Sequence, residues 1–213
     1  AASDVYKRQG AYVSANDKVI YHSVLANDKV QDMVEVLKEH GACFMLQGIN
    51  GRYVDEENAK KMRERCMRLG LDIDGALNGL TLVEHPEQMP ALESGMYFDA
   101  DIPVDVMQKE VGNYIKITGA SFGKDRQMSG EMTKMGVNKA TGMQRLMDEL
   151  KIGREDTIAF GDGPNDVEML QFAGTGVAMG NAIPAVKQYA DMVTDKIDED
   201  GLYHAFERLH LLG

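Results

Sequence analysis

Apolar positions along this chain follow two rhythms, one running to about residue 134 and another beginning at Asn138. In the first, residues 10–13 and 19–22 are β-rich runs on either side of an Asn-Asp turn and predict a hairpin. Val30, Met33, Val34 and Leu37 then recur at helical spacing, with Asn27 or Asp28 able to cap and Gly41 able to stop the helix. Residues 42–46 read as a strand and 52–54 as its hairpin partner. Residues 58–69 read as a helix with Met62, Cys66 and Leu69 on one side; its basic residues form a solvated face beside Glu56, Glu57 and Glu64. Residues 70–95 read as loop-rich with short helical pieces. Strands at 96–99, 114–118 and about 127–133, with a helix at 103–111 that carries Pro103 near its first turn, complete an α+β region.

From Asn138 helices and strands alternate. A helix turns Met143, Leu146, Met147 and Leu150 inward, and a strand at 157–160 is followed by a helix at 165–173. A strand at 176–179, a helix from Pro184, a short strand at 191–194 and a helix after Gly201 finish the chain. This order predicts half of a doubly wound parallel sheet. The first nine residues show no apolar period and no cap, so they are expected to be a non-native junction or a truncation stub.

Composition narrows the classes of function. With 44% hydrophobic and 27% charged residues the chain is an ordinary globular sequence. A net charge of −11 argues against nucleic acid and anionic membrane as partners, because phosphate contacts need Lys and Arg. No apolar run reaches the roughly 20 residues that span a bilayer, and no secretory signal opens the sequence. Cys43 and Cys66 have no metal-ligand spacing and read as reduced, packed residues of a cytoplasmic protein. The 15 methionines read as adaptable core filler. Oligomeric state leaves no signal.

Candidate chemistry gathers in residues 157–170, an apolar run broken by Gly161-Asp162-Gly163-Pro164-Asn165-Asp166 and resumed as a helix. The loop leaves the carboxyl end of its strand, where open α/β sheets bind ligands. Asp162 and Asp166 stand four apart across a sharp turn, so both can approach one hard cation such as Mg²⁺. Lys139 begins a helix, an unfavourable place for a cation unless an anion is near.

The segment TIAFGDGPNDVEMLQFAGTGVAMGNA resembles the fourth motif of the haloacid dehalogenase-like (HAD) superfamily, in particular its Cof-type sugar-phosphate phosphatases. Gly136-Val137-Asn138-Lys139-Ala140 resembles the third motif of that family, and the hairpin after residue 10 is similar too, with Gln9 where an Asn is expected. The resemblance implies an α/β fold: a HAD Rossmann-like core, a doubly wound and mostly parallel sheet with its first strands missing, and an inserted α+β cap domain. The implied division is a stub at 1–9, a core hairpin leading to the cap at 10–27, a cap at 28–134 and the C-terminal half of the core at 135–213. The implied activity is Mg²⁺-dependent hydrolysis of small phosphorylated metabolites such as sugar phosphates through an aspartyl-phosphate. In that scheme Asp162 ligates Mg²⁺, Asp166 ligates it or orients one of its waters, and Lys139 neutralises charge at the phosphoryl group. Asn165 supports the loop and the lysine, and shares the phosphate with Lys139.

One part of the family pattern is missing. The nucleophile motif, Asp-x-Asp-Gly, belongs near the N-terminus at the end of a buried strand. Its sole match here, Leu71-Asp72-Ile73-Asp74-Gly75-Ala76-Leu77, follows a charged helix in the middle of the cap and is expected to be a cap loop. Thr118-Gly119, a possible second motif, meets the same objection. The chain alone is therefore expected to be catalytically incompetent, with an uncovered sheet edge. A non-enzymatic phosphometabolite-binding pseudophosphatase and a fragment of a P-type ATPase phosphorylation domain are the alternatives. Gly174, Gly176 and Gly180 lack dinucleotide-loop spacing, residues 162–166 lack the ligands of a calcium loop, and His204 and His210 stand singly.

Overall fold

A computed structural model describes residues 5–16, 18–120 and 127–212 of the chain. It divides into two compact units, Ala1–His22 with Val137–Gly213, and Ser23–Gly136. No described helix is long and apolar enough to cross a membrane.

The chain starts with β1 (Val5–Lys7), β2 (Tyr12–Ala15) and β3 (Lys18–His22), an antiparallel sheet in that order. One of these strands, β1, falls within the first nine residues. Strand pairing is made by backbone groups, and β1 joins the sheet without any apolar alternation of its own. Gln9 lies in the left-handed region with φ 60°, a conformation that Asn adopts more readily than other non-glycine residues.

The Ser23–Gly136 unit is built on a six-stranded sheet. In chain order its elements are α1 (Asn27–Glu39), β4 (Cys43–Gly48), β5 (Gly51–Val54), α2 (Glu56–Leu69), α3 (Ile73–Leu77) and β6 (Leu80–Leu82). Then come β7 (Leu92–Phe98), α4 (Val104–Glu110), β8 (Ile115–Gly119) and β9 (Gly130–Lys134). The strand order is β6-β5-β4-β7-β9-β8, antiparallel throughout except for the β5–β6 pair. On one face Val30, Met33, Val34 and Leu37 of α1 and Met107 of α4 pack against Phe44, Leu46, Tyr97, Ile115 and Met132. On the other, Ala59 and Met62 of α2 cover Cys43, Met45, Val54 and Phe98. Each such large side chain, fully buried, contributes roughly 1.5–3 kcal/mol. Sequence reading placed 92–95 in a loop, yet β7 begins at Leu92 and buries four successive residues there. A strand covered on both faces need not alternate.

The chain then returns to the first unit with α5 (Lys139–Leu150), β10 (Ile158–Gly161), α6 (Val167–Phe172), β11 (Thr175–Ala178), α7 (Pro184–Lys187), β12 (Met192–Val193) and α8 (Gly201–Arg208). Strands β10, β11 and β12 form a parallel sheet in that order, as expected of a doubly wound core. Met143 and Met147 of α5 pack with Ala159, Met169, Leu170, Ala178 and Val186. The helix read at 165–173 is shorter, because a 3₁₀ turn at Pro164–Asp166 precedes α6. Phe206 of α8 stacks on Phe160, with centroids 5.5 Å apart and rings 6° from parallel.

Candidate active site

The parallel strand β10 delivers its carboxyl end directly into residues 162–166. Gly161 is required there by close approach: a Cβ on it would lie 2.4 Å from the Cβ of Asp166. The chain therefore folds tightly back on itself. One Asp166 oxygen, Oδ2, accepts from the backbone N–H groups of Asp162 and Gly163, both at 3.0 Å. The other, Oδ1, accepts from the Nζ of Lys139. Asp166 is buried, at 4% exposure, so both its oxygens are spent inside the protein.

Lys139 is placed by the start of α5. Asn138 caps that helix by accepting from the Thr141 N–H at 2.9 Å, and the Asn138 N–H donates back to the Thr141 hydroxyl at 3.0 Å. The cap fixes the first turn, and Asp166 supplies the anion that a lysine at a helix start needs.

Asp162, by contrast, is exposed at the loop tip. Its Oδ2 accepts from the Nδ2 of Asn181 at 2.9 Å, while its Oδ1 takes no hydrogen bond from a described residue. Asn181 is braced in turn, accepting at Oδ1 from the Ile197 N–H at 3.1 Å. Before it, the Gly180 N–H donates to the Asp195 carbonyl at 3.0 Å, and Lys187 Nζ donates to the Gly180 carbonyl at 2.6 Å. A Cβ on Gly180 would sit 2.6 Å from backbone atoms of Asp195 and Lys196, so the loops after β11 and β12 close against each other only through glycine. Gly180 and Asn181 lie at the end of the segment that resembles the fourth motif, where spacing alone assigns them no part. A glycine and an amide directly after a strand neighbouring the acidic loop were the available signal.

Together these loops frame a cavity of about 360 Å³ whose polar lining is Lys139, Asp162, Asp166 and Asn181, with Phe160 and Met179 among its apolar walls. Asn165 sits half-buried in the middle of the Pro164–Asp166 turn and is not among the residues lining the cavity. Asp72 and Asp74 are exposed, at and just after the start of α3, in the other compact unit, and Thr118 is on β8 of that unit.

The cavity contains two carboxylates and one ammonium, which leaves negative charge for a cation. Asp162 offers a hard oxygen that takes no hydrogen bond from a described residue, and Asp166 is held beside it. No group of three His, Cys, Asp or Glu side chains comes together among the described residues. One or two carboxylates completed by water and a phosphate ligand is the donor set that suits Mg²⁺.

A family model described as haloacid dehalogenase-like hydrolase matches residues 4–206. The 5-amino-6-(5-phospho-D-ribitylamino)uracil phosphatase YitU of Bacillus subtilis is 56% identical over 72 residues, 34% of this chain and 27% of that protein. YcsE, a phosphatase of the same named activity from the same organism, is 27% identical over 192 residues, 90% of this chain and 66% of that protein. The match thus spans no more than about two thirds of the length of either relative. The solved structure of the HAD subclass IIB sugar phosphatase BT4131 is similar with a TM-score of 0.76 at 26% identity, covering 98% of this chain and 76% of that one.

Proposed function

This chain belongs to the haloacid dehalogenase-like hydrolases, and from that premise we propose that it carries the lysine–aspartate half of an Mg²⁺-dependent phosphatase site for small phosphorylated metabolites. The observation that carries the proposal is the doubly used carboxylate of Asp166, which binds Lys139 with one oxygen and closes the Asp162–Gly163 backbone with the other. That arrangement presets the loop before any ligand arrives, as electrostatic stabilisation of phosphoryl transfer requires.

Asp162 would hold the metal ion, with Asp166 behind it fixing the loop. When bound, Mg²⁺ would neutralise charge on the phosphoryl oxygens. Lys139 would share its ammonium between Asp166 and a phosphate oxygen, which lowers the cost of bringing a dianion to an acidic loop. Asn165 would support the turn and the lysine. Asn181 would act as a positioning residue: by binding one Asp162 oxygen it reserves the other for the ligand. The names of YitU, YcsE and BT4131 support a phosphorylated sugar or sugar-derived metabolite as the substrate class. In this reading the Ser23–Gly136 unit is the cap that selects the substrate.

The carboxylates lining the cavity are Asp162 and Asp166, and both serve the loop. Among the described residues no further aspartate lines it to accept the phosphoryl group, so the 213-residue chain is expected to bind phosphate with Mg²⁺ and not to turn an ester over. This same feature favours a second reading, a phosphometabolite-binding protein without hydrolysis.

The test pairs titration calorimetry of inorganic phosphate, with and without Mg²⁺, with release of p-nitrophenol from its phosphate ester. Mg²⁺-dependent binding that falls at least about tenfold in Asp162→Asn, a loss of about 1.4 kcal/mol, is expected, with no ester turnover. Absence of binding, or binding indifferent to Asp162→Asn, would sink the site assignment. Turnover lost in Asp72→Asn would move the nucleophile into residues 71–77 and overturn the half-site reading.

A further inference from the structure

The Ser23–Gly136 unit has a cavity of its own, of about 330 Å³, between the β4–β7 face of its sheet and helices α2 and α3. It shares no lining residue with the cavity beside Asp162. Its walls are mainly apolar, with Met45, Met62, Met96 and Phe98, yet Arg52 and Arg65 line it too. In a chain of net charge −11 this is an unusual place to keep cations.

The two arginines are not equally satisfied. Arg65, 7% exposed, donates from Nε to Asp99 Oδ1 at 3.1 Å and lies over the Phe98 ring, 4.8 Å from its centroid. Arg68 donates to the same Asp99 carboxylate, so one carboxylate answers two guanidinium groups. Arg52 donates to the Asn78 backbone carbonyl and forms no ion pair with a described carboxylate. Asp72, folded back over Gly75 at the rim, is exposed to solvent. Arg52 is half-exposed, so water reaches it when no ligand is bound, and its remaining N–H groups form a fork that matches a carboxylate or sulfonate.

The cavity's size lies at the lower end of the roughly 300–1,000 Å³ typical of small-molecule pockets. Three methionines give it a wall that reshapes easily and contacts aromatic rings favourably. A phosphorylated sugar would find few partners for its hydroxyls there. We propose that this cavity binds a small aromatic anion, with its acid group on Arg52 and its ring among Met45, Met62, Met96 and Phe98. Such a site goes beyond the phosphatase reading and requires nothing of Asp162 or Lys139.

The test uses 1-anilinonaphthalene-8-sulfonate as the probe and the 213-residue chain labelled with ¹³C at the methionine methyls. Expected are saturable one-to-one binding and probe-dependent shifts at the Met45, Met62 and Met96 methyls, each assigned by its Met→Leu variant. Arg52→Gln, which keeps a donor for the Asn78 carbonyl and removes the charge, should weaken binding about tenfold or more. Ala76→Leu, which fills the cavity, should abolish it. Circular dichroism establishes that each variant is folded; if Ala76→Leu is not, Arg52→Gln decides. Non-saturable fluorescence, shifts confined to other methionines, or binding unchanged in folded Arg52→Gln would overturn the proposal. Asp162→Asn should leave probe binding intact, so a failure here and a failure of the phosphate site are read separately.

Discussion

The two compact units hold themselves together by different means. The largest fully buried side chains, Tyr97 and Phe44 foremost, lie in the Ser23–Gly136 unit, with Leu170 the exception. The unit that carries Lys139 and Asp162 packs smaller or more pliant residues around its parallel sheet, among them Ala159, Ala178, Met143, Met147 and Met169. Near its loops the close contacts fall on glycines, Gly161 against the Asp166 side chain and Gly180 against the backbone of Asp195 and Lys196. Large side chains give area removed from water, and small ones let loops approach until a single carboxylate can bind two N–H groups and a lysine. The contrast teaches that one unit is specified chiefly by volume, the other by polar satisfaction around a site.

Substitutions can test that division, starting with the largest effect. Phe44→Ala removes a side chain that is 1% exposed between α1 and the six-stranded sheet, and should cost about 3–5 kcal/mol in urea denaturation. A cost under about 1 kcal/mol would mean that this core is loosely packed and the contrast is wrong. Asp166→Ala should cost about 2–3 kcal/mol, because it strands the Asp162 and Gly163 N–H groups and leaves Lys139 without its anion. It should also speed amide exchange at Asp162 and Gly163 in particular. Uniform exchange changes along β10 and β11 would show instead that Asp166 serves packing like any core residue.

Much of this was legible before any coordinates. The change of rhythm at Asn138 anticipated a parallel sheet, and the Gly-Asp-Gly-Pro-Asn-Asp loop fell at a strand's carboxyl end because apolar runs and turn residues are local signals. Lys139 was suspected from its place at a helix start, and its anionic neighbour proves to be Asp166. What escaped was non-local. The brace from Asn181 to Asp162 depends on two neighbouring strands stopping level with each other, a matter of sheet register that sequence spacing does not encode. The same holds for β1, which pairs with β2 without a pattern in its own sequence, and for residues 92–95, whose burial on both faces erases alternation. Arg65 read as part of a solvated basic face, yet it lies buried against Asp99 and Phe98, because its partner is 34 residues away.

The smallest expected effect concerns charge on the unit specified by volume. His40, just after α1, bonds Asp101 Oδ1 through Nδ1 and Glu110 Oε2 through Nε2, both at 2.7 Å. The hydrogen bond to Glu110, then that to Asp101, favours the imidazolium and raises the His40 pKa above its ordinary value near 6.5. The sign follows from linkage: a group whose folded pKa is raised stabilises the fold in full below its unfolded pKa, and loses that contribution as pH climbs through the folded value. The thermal midpoint of the chain should therefore fall slightly from mildly acidic to mildly alkaline buffer. The carboxyl partners keep 69% and 40% exposure, so solvent screens the pair and the change should be small and shrink further in salt. His40→Asn, which can still hydrogen bond but not titrate, should flatten the slope. A midpoint that rises over the same interval, or an unaltered slope in the variant, would assign the pH response to other groups and leave the Ser23–Gly136 unit governed by packing alone.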